Sequence, residues 1–388
     1  MARGRERVTI ETDILIIGGG IAGCGTAYFL AREGAEVVVI ERDDLNAHAS
    51  GANSGSLHAQ IPYEPFIEDE AWARAFAPTL RLLKASIALW QDLPGALGED
   101  LEVSLKGGLL VAASEVQMRN VERKAALERA SGLDVRILSR SDLHAMAPYL
   151  SDGMIGGAFC PDEGKASPLL TTLALARGAR RHGARIVAHC PLTALVRENG
   201  GFVATTPQGP IRARRVVNAA GSEATVISRK LGLDFPIEGV PIQIAITEPT
   251  TAVLPHLLYY AGGRLTLKQT AAGTVLIGGG WPAREDPRTG RLQIDRDSMA
   301  DNLGIACNVV PLVGGLRLVR SWPAMVNGTA DWKPVLGEVR GIPGFYMTVF
   351  PWLGFSAGPI VARITADLLL GRDPGFDLAP FSAERYLA

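Results

Sequence analysis

Asp13-Ile14-Leu15-Ile16-Ile17-Gly18-Gly19-Gly20-Ile21-Ala22-Gly23 is the stretch that decides the fold. Its first five residues are a short apolar run of the kind that makes a buried strand. The next six fit G-x-G-x-x-G. Ala27 and Ala31 give the following segment a small helical face, and Gly34 can close that helix because glycine adopts the left-handed cap at little cost. Val37-Val38-Val39-Ile40 then reads as a second strand, with Glu41 at its end. In a strand–turn–helix of this pattern each residue type has a task. Gly18 permits the tight turn, and Gly20 lets the backbone approach a pyrophosphate. Gly23 lets the helix pack close to the strand, its N-terminus aimed at the phosphates. Glu41, eighteen residues beyond Gly23, stands where a carboxylate accepts hydrogen bonds from ribose hydroxyls. An ordinary glycine-rich turn would share the glycines but would not need the acid. The stretch therefore points to an adenine dinucleotide.

The rest of the composition fits a globular enzyme. At 388 residues the chain is long enough for two or three domain-sized units. A formal net charge of −1 gives no broad basic field for nucleic acid or an anionic membrane. Cys24, Cys160, Cys190 and Cys307 are far apart and form no C-x-x-C, which argues against a zinc or iron–sulfur site and leaves no metal expected. Met1 to Arg7 is basic and leads toward a strand rather than an apolar signal segment. No run is long and apolar enough to span a membrane, and the expected location is cytoplasmic.

After Glu41, residues 49–58 are small and polar (Ala49-Ser50-Gly51-Ala52-Asn53-Ser54-Gly55-Ser56-Leu57-His58), as in a loop laid along a cofactor. Leu80, Leu83, Ile87 and Trp90 predict a helix over about 72–92, ended by Pro94-Gly95. Strand-like pieces at 101–103 and 108–112 precede a charged helix at about 114–131 with Ser114 as N-cap. Ser167-Pro168 opens a helix that Gly183 ends. Strands at 185–188 and 192–197 follow, then hairpin turns at Asn199-Gly200-Gly201 and Gln208-Gly209-Pro210. The strand 213–218 ends in the small-residue turn Ala219-Ala220-Gly221-Ser222. From 236 to 320 the chain reads as strands joined by turns, the signature of an antiparallel sheet. A strand at 345–349, the turn Pro351-Trp352-Leu353-Gly354 and a helix at about 357–370 close the pattern.

Taken in order, these motifs resemble the FAD-dependent D-amino-acid oxidase family. They are the fingerprint with Glu41, Ser50-Gly51-Ala52-Asn53, Val217-Asn218-Ala219-Ala220-Gly221, Asp331-x-x-Pro334 and Gly354-Phe355. The family includes glycine and sarcosine oxidases and flavin subunits of amine, imino-acid and opine dehydrogenases. The resemblance implies an α/β fold: a discontinuous Rossmann-like FAD domain (1–95, 160–235, 325–388) and an α+β substrate domain with an antiparallel sheet (96–159, 236–324). It implies that FAD lies along Gly18, Gly20, Ile21, Ala22, Gly23, Glu41, Arg42, Ser50, Gly51, Asn53, Ser54, Gly55, Leu192, Ala220, Gly221, Leu353, Gly354, Phe355 and Ser356.

The implied reaction is oxidation of a C–N bond by hydride transfer to flavin N5, followed by imine hydrolysis, so no strong acid or base is required. The helix N-terminus near Gly354–Ala357 can stabilise negative charge on the reduced ring. Lys268, His58, Arg320 and Tyr259 are the candidate catalytic residues, with Gln60, Tyr260 and Trp322 as further pocket candidates. A solvated lysine, a structural histidine and core aromatics are the plainer readings of the same residues. Sarcosine oxidases that bind flavin covalently use a cysteine where this chain has Ala324, so non-covalent FAD is expected. Two carboxylate anchors of relatives are also absent. The arginine position of glycine oxidases is Val326, and the lysine position after Gly-Phe is Ser356. Either Lys268, Arg264 or Arg320 holds a carboxylate, or the recognised group is not a small α-carboxylate. The implied substrate is a small amine or amino acid. A second subunit or a homo-oligomer is an open partner question. A flavin dehydrogenase subunit, a non-catalytic nucleotide-binding subunit and a flavin hydroxylase are the alternatives.

Overall fold

The computed structural model describes residues 9–387 and divides them into two compact units. The basic segment Met1 to Arg7 lies outside the described residues. The first unit comprises the chain up to Gly51, Leu169–Gly239 and Val326 onward; the second comprises Ala52–Pro168 and Val240–Met325. Residues 52–95 and 160–168, expected with the first domain, therefore belong to the second unit. Within this stretch the helix Pro78–Leu97 buries a long apolar face that includes Leu80, Leu83, Ile87 and Trp90.

The first unit is built on a mainly parallel sheet. Strand Ile10–Ile17 lies at its centre, paired in parallel with Gly209–Asn218 on one side and Val37–Ile40 on the other. Arg185–Val187 extends the sheet beyond Val37–Ile40, and Phe345–Val349 extends it beyond Gly209–Asn218. Ile14, Leu15, Ile16 and Val39 are wholly buried, as a strand covered on both faces requires. The fingerprint helix Ile21–Arg32 packs against the C-terminal helix Gly354–Leu369. Gly25 allows the close approach, since a Cβ there would lie 2.8 Å from that of Ala362. The hairpin Ala194–Glu198/Gly201–Thr206 turns at Asn199-Gly200, both with positive φ, as the sequence led one to expect.

The second unit holds an eight-stranded sheet. Its strands combine Gly108–Ala112, Arg136–Ser139 and Gly156–Cys160 with Glu238–Pro249, Leu257–Tyr260, Gly263–Gln269, Thr274–Gly278 and Leu318–Gly328. From Glu238–Pro249 through Thr274–Gly278, Gly263–Gln269 and Leu257–Tyr260, and again from Gly108–Ala112 through Gly156–Cys160 to Arg136–Ser139, neighbours run antiparallel, while Leu257–Tyr260 runs parallel to Gly108–Ala112.

Three local readings need correction. The helix over 72–92 is two helices, Glu70–Phe76 and Pro78–Leu97, because Pro78 starts a new first turn. Pro94 does not end the second one; the chain passes through it to Gly98, which takes the left-handed cap at φ +66°. The stretch 236–320 is not all strand. A helix spans Arg296–Val309, capped by the Asp295 carboxylate, which accepts from the N–H groups of Asp297 and Ser298. Residues 101–103 form no strand; neighbouring Ser104 makes a single bridge to Lys165. Among the described residues no helix is long and apolar enough to cross a membrane.

Candidate active site

The fingerprint turn is held by contacts that only glycine permits. Gly18 sits at φ +117°, and a Cβ there would lie 2.4 Å from the carbonyl oxygen of Ala219. At Gly23 a Cβ would lie 2.0 Å from the carbonyl oxygen of Gly18, so the helix rests directly on its own turn. At Gly20 it would meet Ser50 Oγ at 2.9 Å. The Ser50 hydroxyl in turn accepts from the Ile21 N–H at 3.0 Å, supplying across the chain the cap that Gly20 cannot. Ala22 forms part of the same first helical turn.

Glu41 is buried, and its two oxygens accept from backbone: Oε2 from Gly19 N–H at 2.6 Å and Oε1 from Asp43 N–H at 3.0 Å. The carboxylate thus stands against the glycine turn, where an adenosine ribose is read. Glu41, Asp43 and His48 bring three potential ligand atoms together, but Glu41 is already committed to peptide N–H groups. Arg42 is exposed and pairs with Asp43 at 3.2 Å and Glu223 at 3.5 Å. Gly51 touches Asn46, whose carbonyl oxygen would lie 2.1 Å from an added Cβ.

Two other turns converge on this unit's nucleotide end. Asn218 is fully buried; its amide donates to Ala224 O at 2.7 Å and Ser228 Oγ at 3.0 Å, while its oxygen accepts from Ala220 N–H. That bracing places Ala220 and Gly221, the latter at φ +58°, directly after the strand Gly209–Asn218 and next to Ala219, which Gly18 packs against. Leu192 is half-buried against the first unit's core. Leu353 is the residue before the C-terminal helix, and Phe355 and Ser356 are buried in its first turn. Gly358 lies against Ile21, so the N-termini of the two helices meet beside the fingerprint. The cradle of glycines, the capped N–H groups and Glu41 fit the ADP half of a dinucleotide.

One feature of this turn was not foreseen. Trp332 and Trp352 stack at 4.7 Å and 23°, and both adopt the left-handed region, at φ +54° and +58°. The Trp352 indole N–H is buried and has no protein acceptor among the described residues. Neither residue stood out, because tryptophan carries no signal for positive φ.

In the second unit, Lys268, His58 and Tyr259 come together. Lys268 is buried, and its ammonium donates to Ser54 Oγ at 2.9 Å and Ser56 Oγ at 2.6 Å. Burial, with neighbouring Lys165, pulls its pKa down to about 7. His58 Nδ1 lies 2.6 Å from the Tyr259 hydroxyl, and burial followed by Lys268 lowers the imidazole to about 3. Burial and the charge of Glu163 push the Tyr259 phenol well above its ordinary value. Asn53 braces this loop by accepting from Gly55 N–H at 2.7 Å, and Gly55, at φ +77°, fits tightly against Ala166 O.

The other candidates fall elsewhere. Gln60 is buried in a polar network with Glu163 and Lys124 rather than open to a pocket. Tyr260 packs against the core of the second unit. Arg320 and Arg264 are exposed. Trp322 donates its indole N–H to Ala52 O at 2.7 Å, and Ala324 is buried. Sequence reasoning missed Glu163, Lys124 and Glu128; Lys124 and Glu128 pair one helical turn apart, but their contacts to Gln60 and Ile61, and those of Glu163 to residues 59 and 60, lie far along the chain.

A parallel-sheet unit with this glycine cradle and a strand-end acid, joined to a second unit on an antiparallel sheet, defines a dinucleotide-dependent oxidoreductase. The chain belongs to the family described as DAO, FAD dependent oxidoreductase, whose model matches residues 13–368. FAD is therefore its cofactor. Glycine oxidase of Geobacillus kaustophilus is 26% identical, with 98% of each chain covered. Its crystal structure superposes with a TM-score of 0.85 at 25% identity, covering 97% of this chain and 99% of that one. An opine oxidase subunit of Rhizobium meliloti is 28% identical over 97% of this chain and 98% of its own. Mitochondrial dimethylglycine dehydrogenase of Mus musculus is 27% identical over 97% of this chain, but the chain spans only 44% of that relative's length.

Proposed function

We propose that this protein oxidises the C–N bond of an amine or N-substituted amino acid larger than glycine. Bound FAD supplies the hydride acceptor. The observation that carries the reading is the set of buried Lys268 with half-buried His58 and Tyr259. At neutral pH it holds an amine near its pKa, a neutral imidazole and a protonated phenol. Such a set suits an uncharged amine, from which hydride can leave, better than abstraction of a carbon-bound proton by a strong base. Lys268 can hold at Nζ the proton that an ammonium substrate must lose.

Substrate size follows from what stands at the anchor positions. Val326 and Ser356 replace the cations that relatives use for a carboxylate, and the same unit presents the stacked Trp332–Trp352 pair. An apolar aromatic face favours bulk over a small α-carboxylate. Ala324 offers no thiol, so FAD is held without a covalent bond at that position. Anaerobic flavin bleaching against a panel of amines tests the proposal: bulky N-substituted compounds should reduce the flavin, while glycine and D-alanine should be slow. Denatured and filtered protein should release its yellow colour. Fast bleaching by glycine with the bulkier compounds inert would sink the reading, and a requirement for NAD(P)H would favour a hydroxylase.

A second reading has its own support. The chain aligns end to end with a relative named as an oxidase subunit. In this reading electrons pass to a second polypeptide or a quinone rather than to oxygen. Oxygen consumption by the pure chain would separate the two readings, as would a second polypeptide copurifying at fixed stoichiometry.

A further inference from the structure

Asp331-x-x-Pro334 is one of the motifs that mark the family, yet the proposed chemistry gives Asp331 no task. Its carboxylate is the hub of a closed set of bonds in the first unit. Oδ1 accepts from the Thr329 hydroxyl at 3.0 Å, the Lys333 N–H at 3.1 Å and the Tyr386 phenol at 2.9 Å. Oδ2 accepts from Arg385 Nε at 3.0 Å. The other nitrogens of that guanidinium are committed too. Nη1 donates to Ser382 O at 2.8 Å, and Nη2 donates to Lys333 O at 3.0 Å and to the Tyr386 hydroxyl at 3.1 Å. The guanidinium carbon lies 4.3 Å from the centre of the Tyr386 ring.

We infer that Arg385 and Tyr386 are positioning residues for the tryptophan pair: through Asp331 and Lys333 they pin the turn around Trp332, hold it in its left-handed conformation, and so keep its indole stacked on Trp352.

Trp332 lies between the two residues that this clasp grips. On one side the Asp331 carboxylate is held by Arg385 and Tyr386; on the other, Lys333 is held at both its N–H and its carbonyl oxygen. A φ of +54° is costly for a residue with a Cβ, and it persists only where the surroundings overdetermine it. Released from the clasp, Trp332 would relax to negative φ and carry its ring away from Trp352. The clasp is itself anchored, because Ala383, at the head of the turn Ala383–Tyr386, is buried in the first unit's core and Tyr386 packs against that core. Burial alone would raise the Asp331 carboxyl. The bonds from Arg385, Lys333 and Tyr386 outweigh it and hold the group below its ordinary range, so the ion pair is made at neutral pH. Trp352 is the receiving side of the stack. Its N–H donates to Asn327 O at 2.9 Å, and its indole lies over Gly328, where a Cβ would sit 3.3 Å from the ring. Two residues later the helix Gly354–Leu369 begins. The clasp thus reaches the aromatic face on which the preference for bulky amines was argued.

That consequence for substrate rests on the amine-oxidation proposal, but the coupling of clasp to stack does not. Stacked indoles give an exciton couplet in far-ultraviolet circular dichroism, assigned to this pair by its loss in Trp332→Phe. In the flavin-loaded protein, Arg385→Met and Tyr386→Phe should each weaken the couplet. Arg385→Met should weaken it more, because it removes the bonds to both Asp331 and Lys333. Tyr386→Phe keeps a ring beneath the guanidinium and serves if Arg385→Met fails to fold. Arg385→Lys keeps a charge for Asp331 without the fork that also reaches Lys333, and should fall between the wild-type protein and Arg385→Met. The two weakened variants should keep their flavin and raise KM for a bulky N-substituted amine several-fold, with a smaller change in kcat. A couplet of full strength in folded Arg385→Met or Tyr386→Phe overturns the inference, and so does a spectrum that Trp332→Phe leaves unchanged. Loss of flavin in step with the couplet also overturns it, since the clasp would then be a general brace of the unit. If the couplet responds as stated but no amine reduces the flavin, the fault lies with the proposed function instead.

Discussion

The fingerprint turn of the first unit and the Lys268–His58–Tyr259 cluster of the second are built from opposite materials. The turn is backbone. Gly18, Gly20 and Gly23 act by having no side chain, and the clearances around them are set by carbonyl oxygens and one serine. The cluster is side chain. A lysine, a histidine, a tyrosine and two carboxylates are taken out of water and oriented by one another. A site made by omission depends on steric space that a single methyl group removes. A site made from buried polar groups depends on desolvation, and its signature is in protonation.

The largest expected effect breaks the first half of this contrast. Gly23→Val places a branched Cβ where 2.0 Å separates it from the Gly18 carbonyl oxygen. Relief requires the helix to move off the turn, at a cost of about 3 kcal/mol or more, the upper end of overpacking penalties. Purified Gly23→Val should carry almost no flavin, read from the visible spectrum. Retention of full colour would remove the turn as the seat of the dinucleotide.

The second effect probes the other half. Lys268 titrates near 7 in the folded protein and near 10.5 when unfolded. Between those values the unfolded chain binds more protons, so this lysine makes stability rise with pH from about 7 to about 10.5. Below pH 7 it is protonated in both states, and the cost of burying the charge is present in full, on the order of a few kcal/mol. Lys268→Met should therefore be relatively more stable at pH 6, with its advantage shrinking toward pH 10. Denaturant titrations of both proteins across that range measure it. Parallel curves would mean that Lys268 is not held as a desolvated amine.

Glu41→Gln is smaller, since it keeps the shape and loses a charge. A lost charge-assisted hydrogen bond to ribose should weaken FAD by about 1.5–3 kcal/mol, roughly 10- to 100-fold. Unchanged affinity in a folded variant would leave Glu41 as a brace for the Gly19 and Asp43 N–H groups alone.

The same contrast explains what the amino-acid sequence disclosed. The βαβ turn was legible because glycines, strand and acid lie within thirty residues and each is required by local geometry. Asn218 and Ser50 could be placed by motif, but their hydrogen bonds could not be read from it. Glu163 was invisible, because its partners at 59–60 lie about a hundred residues away and no spacing rule links them. The helix Arg296–Val309 was missed amid strand-like neighbours, although Asp295 and the buried series Met299, Asn302, Ala306 and Val309 carried its cap and its face. Pro94 misled because a proline inside a helix costs only what tertiary burial of Trp90, Leu93 and Leu97 can offset. The loop at 50–55 was read as one feature, yet it passes from one unit to the other after Gly51.

The smallest expected effect sharpens the comparison by adding a cation to the backbone-built unit. Val326 is half-buried and begins the last segment of the first unit. It stands where glycine oxidases are expected to carry a carboxylate-binding arginine. If the only obstacle to small amino acids is the missing clamp, Val326→Arg should improve flavin reduction by glycine or sarcosine at the level of KM. One bidentate arginine–carboxylate contact, partly screened and offset by the ordering of a long side chain, should be worth about 1 kcal/mol, or roughly fivefold. The effect on bulky amines should be neutral or adverse, because the guanidinium fills space they would use. If instead glycine remains inert and the bulky amines are untouched, position 326 does not face substrate. The preference for larger amines would then rest on the aromatic pair Trp332–Trp352 of the same unit.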